Sequence, residues 1–159
     1  MAEFFKVCPL LRGNLYVMPK PGKGGGSVAE GIAALKAEGV NLLVSLLQKD
    51  EQITEGLEKE AELCSGSDIQ YLNFPIEDHH TPNDREAAMK FIEVLKDKLS
   101  EGKSIAIHCK GGVGRTGTLA GALMLACNIE PEEVFEKLSA ARGKKMPATE
   151  EQRAWVIGE

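Results

Sequence analysis

Several residue types are scarce in this sequence, and each scarcity excludes something. There are four cysteines in 159 residues, at Cys8, Cys64, Cys109 and Cys127, and no pair has the C-x-x-C spacing of a zinc or redox centre. A disulfide scaffold is not expected; free thiols in a reducing compartment, the cytoplasm, are. The N-terminal MAEFFKVCPLL carries an early Glu3 and no long apolar run before a small-residue cleavage site, so it does not read as a signal peptide. The longest apolar stretch, Leu119–Cys127, falls far short of the roughly 20 residues of a membrane span. Basic charge is also in deficit: 19 Lys and Arg stand against 24 Asp and Glu, a net charge of −5. That balance lacks the footprint of a nucleic-acid binder, and no nucleic-acid partner is expected. Aromatics are 5% of the chain and histidines number three.

What remains is ordinary globular material. Apolar residues make up 43% and charged residues 27%, which argues against disorder. The length suits a single domain over residues 1–159, able to bury roughly 70% of its unfolded surface without staples. Glycine is in surplus, with 17 residues, and clusters at 22–26 and 111–121.

The hydrophobic pattern alternates strands with helices. Leu15–Met18 reads as a strand ending at Pro19, followed by the glycine loop 20–26, KPGKGGG. Ser27 and Glu30 form a capping box for a helix that runs to Glu38 and stops at Gly39. Val40–Leu47 reads as a buried parallel strand, Thr54–Ser65 as a helix with Leu57, Ala61 and Cys64 on one face, and Ile69–Phe74 as a strand. Asn83 and Glu86 suggest a second capping box. The helix behind it, to about Leu99, would bury Ala87, Phe91, Val94, Leu95 and Leu99. Ser104–His108 is a short strand, Thr116–Cys127 an apolar helix, and Pro131 to Gly143 bounds another helix. Thr149 and Gln152 give a third capping box for a last helix containing Trp155. The expected fold class is α/β, a single domain with a central, mostly parallel sheet of about four to five strands flanked by helices.

One segment carries chemistry: a strand, then His108-Cys109-Lys110-Gly111-Gly112-Val113-Gly114-Arg115-Thr116, then a helix. A glycine-rich strand-to-helix turn lets successive backbone N–H groups point into one concavity and form an anion nest. The following helix adds its positive end, and Arg115 adds a planar fork of donors suited to phosphate oxygens. A thiol on the floor of such a cradle is expected to react as its thiolate. Three other readings compete. Gly112-x-Gly114-x-x-Gly117 matches a dinucleotide fingerprint, but EPEEVFEKLSAARG downstream is helical where a strand ending in an acid is needed. Gly114-Arg115-Thr116 is a poor Walker A tail, with arginine in place of lysine and Cys109 in place of the leading glycine. A plain tight turn leaves Arg115 unexplained.

HCKGGVGRTG resembles the signature loop of the cysteine-dependent protein phosphatases, His-Cys-x5-Arg-Ser/Thr, in particular the compact dual-specificity and tyrosine phosphatases of bacterial and archaeal type. Weaker landmarks are VSLL at 44–47, NFPIEDHHTP at 73–82 and AARG…P.T..Q at 140–152. The resemblance implies a role for each matching residue. Cys109 would be the nucleophile, forming a cysteinyl-phosphate. Arg115 and the amides of Lys110, Gly111, Gly112, Val113 and Gly114 would bind the phosphate oxygens, Thr116 would hydrogen-bond the thiolate, and His108 would orient the loop. Gln152 would place the attacking water, unless it serves only its capping box.

A leaving alkoxide or phenolate needs a proton. Asp78, in the loop after the preceding strand, is the expected acid, with Glu77 and Asp84 as rivals; Asp84 also reads as a first-turn helix residue. His79 and His80 are solvated loop residues or touch the leaving-group side. Val113 takes a place where lipid phosphatases of the superfamily tend to carry a basic residue. Arg142, Lys144 and Lys145 read as helix-end charges or as a substrate-facing rim, and the loop 20–26 as a connector or a lid. Cys64 or Cys127 could act as resolving thiol for an oxidised Cys109. The expected activity is metal-independent, cofactor-free hydrolysis of phosphotyrosine in proteins, with phosphoserine or phosphothreonine as further substrates and phosphate-like oxyanions as inhibitors. The alternatives are a phosphatase of a small molecule, nucleotide, RNA end or phosphoinositide, or a phospho-binding module without turnover.

Overall fold

A computed structural model describes residues 3–158. Its centre is a five-stranded sheet in the order β1-β2-β5-β3-β4, made of β1 (Phe5–Leu10), β2 (Gly13–Met18), β3 (Leu42–Ser45), β4 (Gln70–Asn73) and β5 (Ile105–His108). β1 and β2 form an antiparallel hairpin, and the other three pairings are parallel. The helices are α1 (Val28–Glu38), α2 (Lys49–Thr54), α3 (Glu60–Gly66), α4 (Arg85–Ser100), α5 (Gly114–Ala126), α6 (Pro131–Arg142) and α7 (Glu150–Ile157).

Alternation along the strands separates two layers. Leu15, Val17, Leu42, Val44, Ile105 and Ile107 face one side, against Leu95 and Leu99 of α4, Leu119 and Leu123 of α5, and Val134 and Leu138 of α6. Tyr16, Met18, Leu43 and Ala106 face the other, against Ile32 and Leu35 of α1 and Cys64 of α3. The parallel register also sets where loops begin. Met18 pairs with His108, His108 with Ser45, and Ser45 with Asn73, so four parallel strands end in one row. The loops that follow them emerge side by side at the carboxyl edge, where open α/β sheets bind ligands.

Several expectations need correction. β1 is an additional strand: Pro9 argues against a strand in isolation, but β1 is an edge strand, where a missing N–H costs little. The helix expected over 54–65 begins only at Glu60, as α3, and an additional helix, α2, ends at Thr54; between them Gly56 takes φ 73 and the turn folds Leu57 into the core. The cap of α4 is Asp84, not Asn83; its carboxylate accepts from Ala87 N at 3.1 Å. The buried face of α4 is Ala88, Ile92, Leu95 and Leu99, leaving Ala87 and Val94 exposed, while the half-buried Phe91 stacks on Phe74 at 4.9 Å. The capping boxes at Ser27–Glu30 and Thr149–Gln152 are present as expected. No helix among the described residues is long and apolar enough to cross a membrane.

Candidate active site

The sheet edge carries a cavity of about 300 Å3 directly over Cys109. β5 ends at His108, the chain turns through 109–113, and α5 starts at Gly114, so the first N–H groups of a 13-residue helix open onto the cavity. Cys109 is 3% exposed and lies on the floor. Its Sγ accepts from Gly112 N at 3.3 Å and from Thr116 Oγ1 at 3.1 Å. The turn is tight for a steric reason. Gly112 has φ 76, and a Cβ there would lie 2.5 Å from the backbone of Met18 and Pro19.

Arg115 is 1% exposed, and three groups, from α2 and from the loop after β4, converge on it. Its Nη1 donates to Glu51 Oε1 at 2.8 Å and to the carbonyl of Ile76 at 2.9 Å, while Nη2 lies 3.3 Å from Asp78 Oδ1. Burial works against the guanidinium charge. The Glu51 carboxylate, with the charges of Cys109 and Asp78, outweighs that cost and raises the pKa above its ordinary value. Arg115 Nε is buried and has no acceptor among the described residues. An unpartnered charged donor beside the cavity is the feature an anionic ligand would satisfy.

Asp78 lines the cavity, with its Oδ1 accepting from His79 N at 3.0 Å. Glu77 does not line it; its Oε2 lies 3.8 Å from His80 Nδ1 on the exposed side of the loop. Asp84 is committed to the α4 cap. His79, with φ 67, lines the cavity, and His80 does not. Gln152 meets both readings of its sequence position. It closes the capping box with Thr149, and it is 1% exposed, lines the cavity and donates through Nε2 to the carbonyl of His80 at 3.3 Å.

His108 points away from the cavity and is fixed at both ring nitrogens, Nδ1 to the carbonyl of Cys109 at 3.0 Å and Nε2 to Glu60. Glu60, 1% exposed on α3, carries no mark in the sequence that separates it from other acids. Burial, followed by the field of Glu60, pushes the neighbouring Tyr71 hydroxyl up to about 12. Glu51 was also unanticipated. Its signal was available: Gln48-x-x-Glu51 caps the helix directly after a parallel strand, hence at the ligand-binding edge.

Arg142 lies in the last turn of α6, yet it is more than a helix-end charge. Its guanidinium stacks on Phe5 at 4.6 Å and Nη2 donates to the carbonyl of Gly111 at 3.0 Å, tying β1 and α6 to the cradle. Lys145 pairs with Glu150 at 2.8 Å. Cys64 lies in the layer on the other face of the sheet, and Cys127 follows the far end of α5, about 18 Å along the helix. That separation puts Cys127 remote from Cys109 as a resolving thiol. Among the described residues, no three His, Cys, Asp or Glu side chains form a group able to hold a metal ion.

These features define a cysteine-based anion cradle on an α/β sheet. Residues 18–128 match the family model described as "Polymorphic toxin system, DSP-PTPase phosphatase". The chain belongs to this family of cysteine-dependent phosphatases, which are phosphomonoester hydrolases. Among curated proteins it is 31% identical over 150 residues to "Putative tyrosine phosphatase 067L" of Invertebrate iridescent virus 3, covering 91% of this chain and 60% of that protein. The chain thus spans about three-fifths of that relative's length. In fold it is similar to kinase associated phosphatase carrying serine for its catalytic-site cysteine (TM-score 0.82, 22% identity, 98% of this chain and 92% of that one). It is also similar to Tk-PTP in its active form (TM-score 0.70, 23% identity, 92% and 88%).

Proposed function

We propose that this chain hydrolyses phosphotyrosine in protein substrates, with phosphoserine and phosphothreonine as further substrates, through a cysteinyl-phosphate on Cys109. The observation that carries the reading is the buried, unpartnered Nε of Arg115 beside a thiol that already accepts two hydrogen bonds. A phosphate dianion in the cradle supplies the missing acceptor, and the amides of residues 110–115 hold its other oxygens. The Cys109 thiolate attacks phosphorus in line, and the bond from phosphorus to the leaving oxygen breaks. Asp78, as the carboxylic acid, gives that oxygen its proton. In the second displacement a water held by Gln152 attacks phosphorus and Asp78 takes its proton. The S–P bond then breaks to return the thiolate, stabilised by Thr116 Oγ1 and Gly112 N. His108 takes no proton in this scheme; it holds the Cys109 carbonyl and, through it, the loop.

The four free thiols, Cys8, Cys64, Cys109 and Cys127, suit a reducing, cytoplasmic setting. The deciding experiment uses Cys109→Ser. The variant is expected to lose hydrolysis of a generic aryl phosphate while retaining affinity for phosphotyrosine peptide. Substantial residual turnover would sink the mechanism, and loss of binding together with turnover would assign Cys109 a structural role.

A further inference from the structure

Building on the phosphatase reading, we propose that Lys23 and Lys110 form a second anion site at the mouth of the Cys109 cavity. It takes a carboxylate or a second phosphate carried by the phosphopeptide within about two residues of the scissile phosphate.

Charge accounting around the cavity is the first support. Arg115 is held by Glu51, Ile76 and Asp78 and keeps its Nε for the scissile phosphate, leaving the two lysines as the further cations on the cavity lining. Lys23 pairs with no carboxylate among the described residues. Lys110 Nζ reaches Glu55 only at 3.5 Å, and Glu55 is held more closely by Lys20 at 2.8 Å. Lys20 and Lys110 thus share one carboxylate and Lys23 has none among the described residues, on a chain whose net charge is −5.

The second support is how Lys23 is presented. Gly22, Gly24 and Gly25 take φ 93, 92 and 104, conformations that side chains rarely adopt, so the path that brings Lys23 to the cavity depends on the glycines around it. The base of the loop is fixed to the cradle itself. Lys20 N donates to the carbonyl of Lys110 at 3.1 Å, Lys23 N donates to the carbonyl of Lys20 at 3.2 Å, and Pro21 packs on Gly31. A plain connector between β2 and α1 would need neither the hydrogen bond to Lys110 nor the left-handed turns.

The third support selects the carrier. A lipid headgroup would bring a membrane surface, and the mouth would then need apolar contacts. The large exposed apolar side chains among the described residues, Leu11, Ile53, Val94 and Ile157, all lie outside the cavity lining. The lining also includes His79, Ala148 and Gln152, none of them a large apolar side chain that could enter a membrane surface.

The test measures dissociation constants of the Cys109→Ser chain, with and without Lys23→Ala or Lys23→Glu. The probes are phosphotyrosine peptides of one length: neutral flanks, an acidic neighbour, or a second phosphorylated residue. Vesicles of phosphatidylcholine doped with a phosphoinositide form a further arm. The ratio of neutral-peptide to acidic-peptide dissociation constant is expected at about three- to tenfold, larger for the doubly phosphorylated peptide, and falling with salt. Lys23→Ala should bring the ratio close to one and Lys23→Glu should invert it. A ratio of one in the parent, a preference that survives Lys23→Glu, or tighter binding to the vesicles than to every peptide would overturn the proposal. Hydrolysis of aryl phosphate by the wild-type chain is read separately. Its failure with the ratio intact would end the enzymatic reading and leave the second site standing.

Discussion

Glu51 and Arg115 meet at 2.8 Å, although 64 residues separate them and each comes from the first turn of a different helix. The carboxylate is four-fifths buried and the guanidinium almost wholly so. This pair, with the Ile76 carbonyl, sets the plane of the guanidinium and leaves Nε for a ligand.

Removing Glu51 should therefore act on both stability and turnover. Glu51→Ala is expected to cost about 1.5–3 kcal/mol of stability, since it strips a charged hydrogen bond from a buried cation. It should also lower kcat more than it raises KM, because the clamp matters most in the transition state. Chemical denaturation and steady-state kinetics on an aryl phosphate check this. Wild-type values of both would show that Ile76 and Asp78 orient Arg115 without help.

Arg115→Lys is the complementary change. A point charge cannot serve as a planar fork between Glu51, Ile76, Asp78 and a phosphate, so most activity should disappear while the charge is kept. A near-wild-type rate would show that Arg115 is not the clamp.

Gly112→Ala tests the cradle's shape. A Cβ at this position would lie 2.5 Å from the backbone of Met18 and Pro19, and φ 76 disfavours any side chain. The loop must move, and with it the N–H that reaches Cys109 Sγ at 3.3 Å. Turnover should fall by more than about tenfold, and the strain should cost about 1–3 kcal/mol. Thermal unfolding and turnover of the variant, measured side by side, decide it.

Asp78→Asn separates acid catalysis from structure. The loss should be large for alkyl phosphates, whose leaving groups need a proton, and small for nitrophenyl phosphate. An equal loss on both would move the acid role to Glu77 or make Asp78 a structural partner of Arg115 at 3.3 Å.

The remaining thiols predict a pH dependence. Burial holds Cys8 and Cys127 above the ordinary thiol value of 9.0 and pushes Cys64 up to about 12. In the unfolded chain they ionise near 9.0; in the folded chain they stay protonated. Above that pH the folded state binds more protons, so stability contributed below 9.0 is lost as pH rises toward 12. Urea unfolding from pH 8 to 11 should show the decline, and Cys64→Ala should flatten part of it. At neutral pH the same three thiols should resist iodoacetamide while Cys109, open to the cavity, is labelled; mass spectrometry reads the sites.

The cradle was legible because it is local. Nine consecutive residues, His108 to Thr116, contain the strand end, the turn and the first turn of the helix, so their composition states their chemistry. Asp78 could be placed beside them because parallel strands end at one edge. The α4 face was misread by one position because Ala87 and Ala88, or Phe91 and Ile92, satisfy the same helical period and only packing chooses between them. The helix expected over 54–65 failed because a lone Gly56 can sit in a helix or end one.

The sequence by itself determined the proposed reaction centre: a thiol, glycines and an arginine at a spacing that a strand–turn–helix turns into an anion cradle. Tertiary structure alone decided which distant groups support it. Among 24 acidic residues nothing local distinguishes Glu60 or Glu55, the capping spacing of Glu51 does not say that it meets Arg115, and nothing in 20–26 says that Lys23 faces the cavity. Those assignments follow from the common ending of β2, β3, β4 and β5 and from the burial that makes one partner at 3 Å matter more than many in solvent.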